Sequence, residues 1–251
     1  MYFDTHCHLS IFNDISSTIS KAKINSVSYI LAVSMYYADN WNVLNLAKQY
    51  PEVIPALGIH PIDVPNLSNI EEQLETIDNL ILANEVGTIG EIGLDRYFVK
   101  EKVYWEKQET ILRHFLDFAV RNNLVVNLHG KYAEKGLFDI LARYNLKFVV
   151  IHWFAGSPEL IKEGISRGYY FSITPEVIYG DRMQRLVNLV PINHLLSESD
   201  GPVKYKGDRP FIGEPALMKD VIQEIAHIKK QEIEEVEQIL FNTAQNIFLN
   251  E

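Results

Sequence analysis

The sequence predicts a TIM-type (β/α)8 barrel, a single α/β domain over 1–251 with closing C-terminal helices. Three observations predict it: the length, a set of short β-rich apolar runs, and their regular alternation with amphipathic stretches. At 251 residues the chain has the size at which such barrels form one domain. Hydrophobic residues make up 47% and charged residues 22%, which excludes a disordered or fibrous chain. In order, the β-rich runs fall at 2–8, 27–34, 53–60, 88–94, 124–129, 148–152, 169–173 and 194–199. Several are nearly continuous in apolar residues, as strands covered on both faces should be. Helical stretches follow them at 15–24, 41–50, 70–83, 104–122, 134–144, 158–166 and 183–190, and 215–228 and 231–248 close the chain. Within 108–120, Ile111, Leu112, Phe115, Leu116 and Ala119 share one helical face, while Glu109, Arg113 and Asp117 take the other. An open doubly wound sheet is the alternative, but it usually wants a Gly-rich phosphate loop after the first strand. His6-Cys7-His8 occupies that place.

Composition narrows the function. The single cysteine, Cys7, excludes an intrachain disulfide framework and any cysteine-cluster zinc site. No apolar run approaches the ~18 residues of a membrane span. The opening MYFDTHCHLS lacks the basic start and apolar stretch of a signal peptide, so the expected setting is cytoplasmic, with no membrane and no obligate protein partner. A net charge of −10 disfavours electrostatic coating of duplex DNA. It leaves open an acidic enzyme that handles phosphate through bound cations.

The chain has eight histidines, and His6, His8, His60, His129 and His152 fall at or near the ends of predicted strands. That is where a barrel carries its chemistry. His6 and His8, two apart on one strand, point to one face and can grip one ion together. Asp4, on that same face, either supports the site from below or is a buried carboxylate bonded to backbone. Carboxylates join the histidines. Glu91 sits inside the apolar run Gly90-Glu91-Ile92-Gly93-Leu94-Asp95 and needs cations or donors around it. Glu198 and Asp200 close the eighth run. Four histidines and two acids from the first, fourth, fifth, sixth and eighth strands are enough to hold two divalent ions with positions left for water and substrate.

Taken in order, Phe3-Asp4-Thr5-His6-Cys7-His8, Gly58-Ile59-His60-Pro61, the Glu91 segment, His152-Trp153-Phe154-Ala155-Gly156-Ser157, Glu198-Ser199-Asp200-Gly201-Pro202 and the closing run from Asn242 to Phe248 resemble the TatD family. Those proteins are metal-dependent, amidohydrolase-like hydrolases described as deoxyribonucleases. The resemblance covers essentially the whole chain. It implies that His6, His8, Glu91, His129, His152 and Asp200 bind metal, with Glu91 bridging two ions. Two positions depart from the family pattern: Lys131 stands where an arginine is frequent, and Trp153 where a cysteine is usual.

The expected chemistry is phosphodiester hydrolysis by a two-metal-activated water, with Asp200 as general base and Glu91 at the centre. Zn, Mg and Mn all suit such a site. Glu198 is read as orienting a ligand from behind. His60 is read as touching a substrate phosphate or ordering the loop before Pro61, and Asp95 as serving the site or bonding Arg96 or loop backbone. Lys131 and Lys204 are the expected substrate contacts. Lys204, Lys206 and Arg209, against Asp208, are either solvated loop charges or a basic rim after Asp200 on an otherwise acidic body, which would suit a single strand or strand end. Trp153, Phe154, Tyr97, Phe98 and Tyr205 are candidates for stacking bases, with some of them packing residues instead. The alternative is a hydrolase of another bond, such as a small phosphodiester or an aminoacyl ester, on the same metal site.

Overall fold

The computed structural model describes residues 1–207 and 210–249. Eight parallel strands form one sheet in chain order. They are β1 (Tyr2–Cys7), β2 (Val27–Val33), β3 (Val53–Leu57), β4 (Thr88–Asp95), β5 (Val125–Lys131), β6 (Phe148–Ile151), β7 (Tyr170–Ile173) and β8 (Leu195–Ser197). The helices outside them are α1 (Ile15–Ile24), α2 (Asp39–Gln49), α3 (Ile70–Ala83), α4 (Val103–Asn122), α5 (Glu134–Leu141), α6 (Pro158–Ser166), α7 (Asp181–Leu189), α8 (Met218–Lys229) and α9 (Ile233–Phe248). The apolar face of α4 buries Ile111, Leu112, Phe115, Leu116 and Ala119. Local signals set the helix starts. Asp14 accepts from Ser17 N–H at 2.9 Å to open α1, and Ser157 caps α6 ahead of Pro158. Among the described residues no helix is long and apolar enough to cross a membrane.

Between β8 and β1 the barrel closes without a regular ladder. Side chains and strand ends stitch the seam: Thr5 Oγ1 donates to Ser197 O, Ser197 Oγ to Phe3 O, and Ser199 N–H to Asp4 Oδ1 at 2.9 Å. Above them Asp200 N–H donates to His6 O and His8 N–H to Gly201 O, each at 2.9 Å. Asp4 is therefore a buried carboxylate bonded to backbone, and its place is this seam. At the end where the strands begin, Phe3, Leu31, Ala56, Val125, Val150 and Leu196 form one apolar cluster with Phe241, Ala244, Ile247 and Phe248 of α9. That helix plugs the barrel opposite the histidines.

Several strands are shorter than their apolar runs. β1 ends at Cys7, β3 at Leu57, β6 at Ile151 and β8 at Ser197. The backbone leaves the ladder there, with Trp153 and Asp200 in the left-handed region at φ 39° and 44° and His60 capping a 3-10 helix. Conversely, β4 and β5 run on to Asp95 and Lys131. Glycine lets them approach: at Gly93, with φ 150°, an added Cβ would lie 1.9 Å from His129 O. The stretch expected as a basic loop holds a small antiparallel hairpin, β9 (Lys204–Tyr205) and β10 (Phe211–Ile212). Asp208 and Arg209 lie outside the described residues.

Candidate metal centre

On β1, β4 and β5, and just beyond the ends of β1, β3, β6 and β8, side chains from across the chain converge on Glu91, which is fully buried. Its two carboxylate oxygens face two different groups of imidazoles. Oε2 lies 3.2 Å from both His6 Nε2 and His8 Nε2. Oε1 lies 2.9 Å from His129 Nδ1, 3.3 Å from His152 Nε2 and 3.4 Å from His60 Nε2. Asp200 Oδ1 completes the first group, 3.6 Å from His6 Nε2 and 3.5 Å from His8 Nε2. The donor atoms of His6, His8 and Asp200 lie within 4.8 Å of one another, as do those of His6, Glu91 and His152.

What stands behind each ring decides which nitrogen faces the cluster. His6 Nδ1 lies 2.9 Å from Asn127 Oδ1, whose amide also donates to Thr5 O. His129 Nε2 lies 2.8 Å from Asp95 Oδ2, and His152 Nδ1 lies 3.1 Å from Glu198 Oε1. Each acceptor holds a ring N–H and turns the opposite nitrogen inward, where a cation could replace its proton. Glu198 also accepts from Trp153 N–H and Ser172 Oγ–H. His60 has the reverse polarity. Ile62 N–H donates to its Nδ1 at 3.0 Å, so the ring proton sits on Nε2, which meets the cluster as a donor. His60, Glu91 and His129 also have donor atoms within 4.8 Å of one another, but this polarity gives His60 no inward lone pair. It also orders the loop before Pro61.

The charges are strongly coupled. Burial pushes the Glu91 carboxyl up, and His60, His6 and His152 more than reverse this, leaving it well below the carboxylate range. Burial opposes charge on His6 and His129, yet Glu91 and the neighbouring acids raise them to about 10 and about 9. Burial holds His152 at about 3 and His60 at about 4. It raises Glu198 and Asp4 each to about 7, and raises Asp200 as well. Such a cluster demands positive charge. His6 Nε2 and Glu91 Oε2, which face the cluster, are buried with no hydrogen-bond partner. Buried polar atoms of this kind are costly unless something else satisfies them. Imidazole and carboxylate donors converging in this way fit divalent cations.

Over the cluster opens a cleft of about 470 Å³, lined among others by His8, His60, Glu91, His129, Lys131 and Asp200. Lys204 is exposed on β9 and outside that lining, so the expected contact at Lys204 is not brought to the cleft. Two of the expected stacking residues are buried packing groups. Phe154 packs on Phe138 and Phe171, and Tyr205 on Trp153 and Phe211, with its hydroxyl donating to Ser199 O. Tyr97 and Phe98 are exposed at the mouth, and Tyr132, which the sequence reading passed over, is more exposed still. Asp95 does both of the things considered for it: its Oδ1 accepts from the Tyr97, Phe98 and Val99 amides while Oδ2 meets His129. Asn127 was also missed. Its position two residues before His129 on one strand, hence on the same face, was the available signal.

A family model described as TatD related DNase matches residues 3–249. The human protein Deoxyribonuclease TATDN3 is 29% identical over 98% of this chain and 93% of its own. An uncharacterized metal-dependent hydrolase of Methanocaldococcus jannaschii, MJ1582, is 32% identical over 98% of this chain and 96% of its own. Among solved structures, YJJV, a TatD homolog from Escherichia coli K12, superposes with a TM-score of 0.88 at 26% identity, covering 99% of this chain and 98% of that one.

Proposed function

This chain belongs to the TatD-related DNase family, and we propose that it hydrolyses phosphodiester bonds in DNA, at a single strand or strand end, with two divalent ions held at the barrel mouth. The observation that carries this reading is the division of labour in Glu91. One oxygen faces His6 and His8, the other His129 and His152. His6, His8 and Asp200 would hold one ion and His129 and His152 the other, with Glu91 between them. When bound, such ions would supply an activated water and neutralise charge on the phosphate oxygens; Zn, Mg and Mn all suit the donors.

The chain's own residues do the rest. Asp200, at the cleft and beside His6 and His8, accepts the proton of the attacking water. His60 Nε2–H donates to a phosphate oxygen, its direction fixed by Ile62. Asn127, Asp95 and Glu198 keep the three inward imidazoles in one tautomer and orientation. Lys131 supplies a point charge at the rim of the cleft.

The test is turnover of single-stranded DNA, duplex DNA, RNA, bis(p-nitrophenyl) phosphate and an aminoacyl ester with added Mg²⁺ or Mn²⁺. Single-stranded DNA is expected to be cleaved fastest. Chelation is expected to abolish turnover while far-UV circular dichroism persists, because a barrel core needs no metal to bury itself. Failure on every phosphodiester, or full activity in protein shown by elemental analysis to be metal-free, overturns the proposal.

A further inference from the structure

Lys131 stands at the end of β5, two residues and about 6.6 Å along the strand beyond His129. Its ammonium is enclosed by three rings, 4.9 Å from the centre of Phe98, 5.0 Å from Trp153 and 5.4 Å from Tyr97. Aromatic faces attract a cation without neutralising it. Among the described residues Lys131 forms no ion pair, so its charge is held in place and left free.

The cage is fastened to the same carboxylates that orient the inward histidines. Glu198 accepts both the Trp153 N–H and His152 Nδ1, and Asp95 accepts the Tyr97 and Phe98 amides and His129 Nε2. The Trp153 indole is pinned at its far edge. Nε1 donates to Glu176 Oε2 at 2.6 Å, and Arg182 holds that same oxygen at 2.7 Å. Lys131 is thereby set at a defined place relative to Glu91. Beside it, Tyr97 and Tyr132 stack at 5.3 Å with 27° between the rings, and Tyr132 is 72% exposed. A fixed cation next to an open aromatic face is what a phosphate and its attached base require.

We propose that Trp153 is a positioning residue: with Tyr97 and Phe98 it holds the Lys131 ammonium as receptor for a phosphate adjacent to the one being cleaved, and the Tyr97–Tyr132 stack seats the attached base. This rests on the phosphodiesterase reading above and adds to it a subsite for the nucleotide next to the scissile bond.

The experiment uses the metal-loaded full chain and its variants Lys131→Gln, Trp153→Ala, Trp153→Phe and Tyr132→Ala. Two substrates are compared, a single-stranded oligothymidylate and bis(p-nitrophenyl) phosphate. Binding of a hydrolysis-resistant phosphorothioate oligothymidylate is followed by anisotropy across a salt series. In Lys131→Gln and Trp153→Ala the ratio of kcat/KM for oligothymidylate over the small diester is expected to fall about tenfold, through KM. Trp153→Phe, which keeps a ring over the ammonium, recovers most of it. Lys131→Gln lowers the log–log salt slope by about 0.7. Tyr132→Ala weakens binding at least about fivefold and leaves the slope alone. An unchanged ratio overturns the proposal. So do equal losses on both substrates, which would make the cage a support for folding or for the metal centre. If the parent protein hydrolyses neither substrate, the phosphodiesterase reading fails by itself. The anisotropy series then decides the cage: weaker binding in Lys131→Gln and Trp153→Ala supports it, and unaltered binding refutes it.

Discussion

Where the strands begin, Phe3, Leu31 and Val125 meet Phe241, Ile247 and Phe248 of α9 in an apolar cluster. Where they finish, His6, His8, Glu91, Glu198 and Asp200 are buried to a similar depth. The apolar end is complete in itself, since its groups need only one another and exclusion of water. At the other end burial works against the charges, and His6 Nε2 and Glu91 Oε2 are left without partners. One end of the same sheet supplies stability; the other spends part of it on a poised set of donors. The left-handed backbone at Tyr132, Trp153 and Asp200 belongs to the second end as well.

Three variants sharpen that contrast. The largest expected effect is at the plug. Phe248→Ala should cost about 3–5 kcal/mol of stability, read by urea denaturation, while turnover per folded chain stays unchanged. A parallel loss of metal affinity would show that the two ends are coupled. Next is Asp200→Asn, which should lower turnover at least about 100-fold. Its stability effect has the opposite sign. Burial raises the Asp200 pKa, so the ionised form weighs against the fold at neutral pH, and a neutral side chain removes that penalty. The melting temperature of the metal-free variant should equal or exceed the parent's; a clear drop would mean that Asp200 stabilises the barrel. The smallest is Glu198→Gln, expected to weaken metal binding about 10- to 100-fold through the orientation of His152. Titration of metal content should show a smaller loss than in Glu91→Gln, and equal losses would remove the distinction between ligand and support.

The comparison also explains what could be read in advance. Strands such as Val27–Val33 and Phe148–Ile151 are legible because burial on both faces forces apolar runs. Helices such as Val103–Asn122 are legible because one face must be apolar. The β9–β10 hairpin was not, since paired dipeptides carry no period. That Phe154 and Tyr205 are the packing members of the aromatic set was not legible either, because position near a strand end does not say which way a ring packs.

By itself the sequence determined the eight-fold alternation, the placing of five histidines near strand ends, and the family to which they belong. These are local patterns, written within a few residues of one another. Tertiary structure alone decided what joins distant parts: Asp4 to Ser199 across the seam, Asn127 to His6, Asp95 to His129, and three rings around Lys131. Asn127 and His6 lie 121 positions apart and Ser199 and Asp4 195. Such pairings depend on how strands register and close into a barrel. Neither a period of 2 nor one of 3.6 records that, because each describes which face a residue takes within its own element and not what it meets on another.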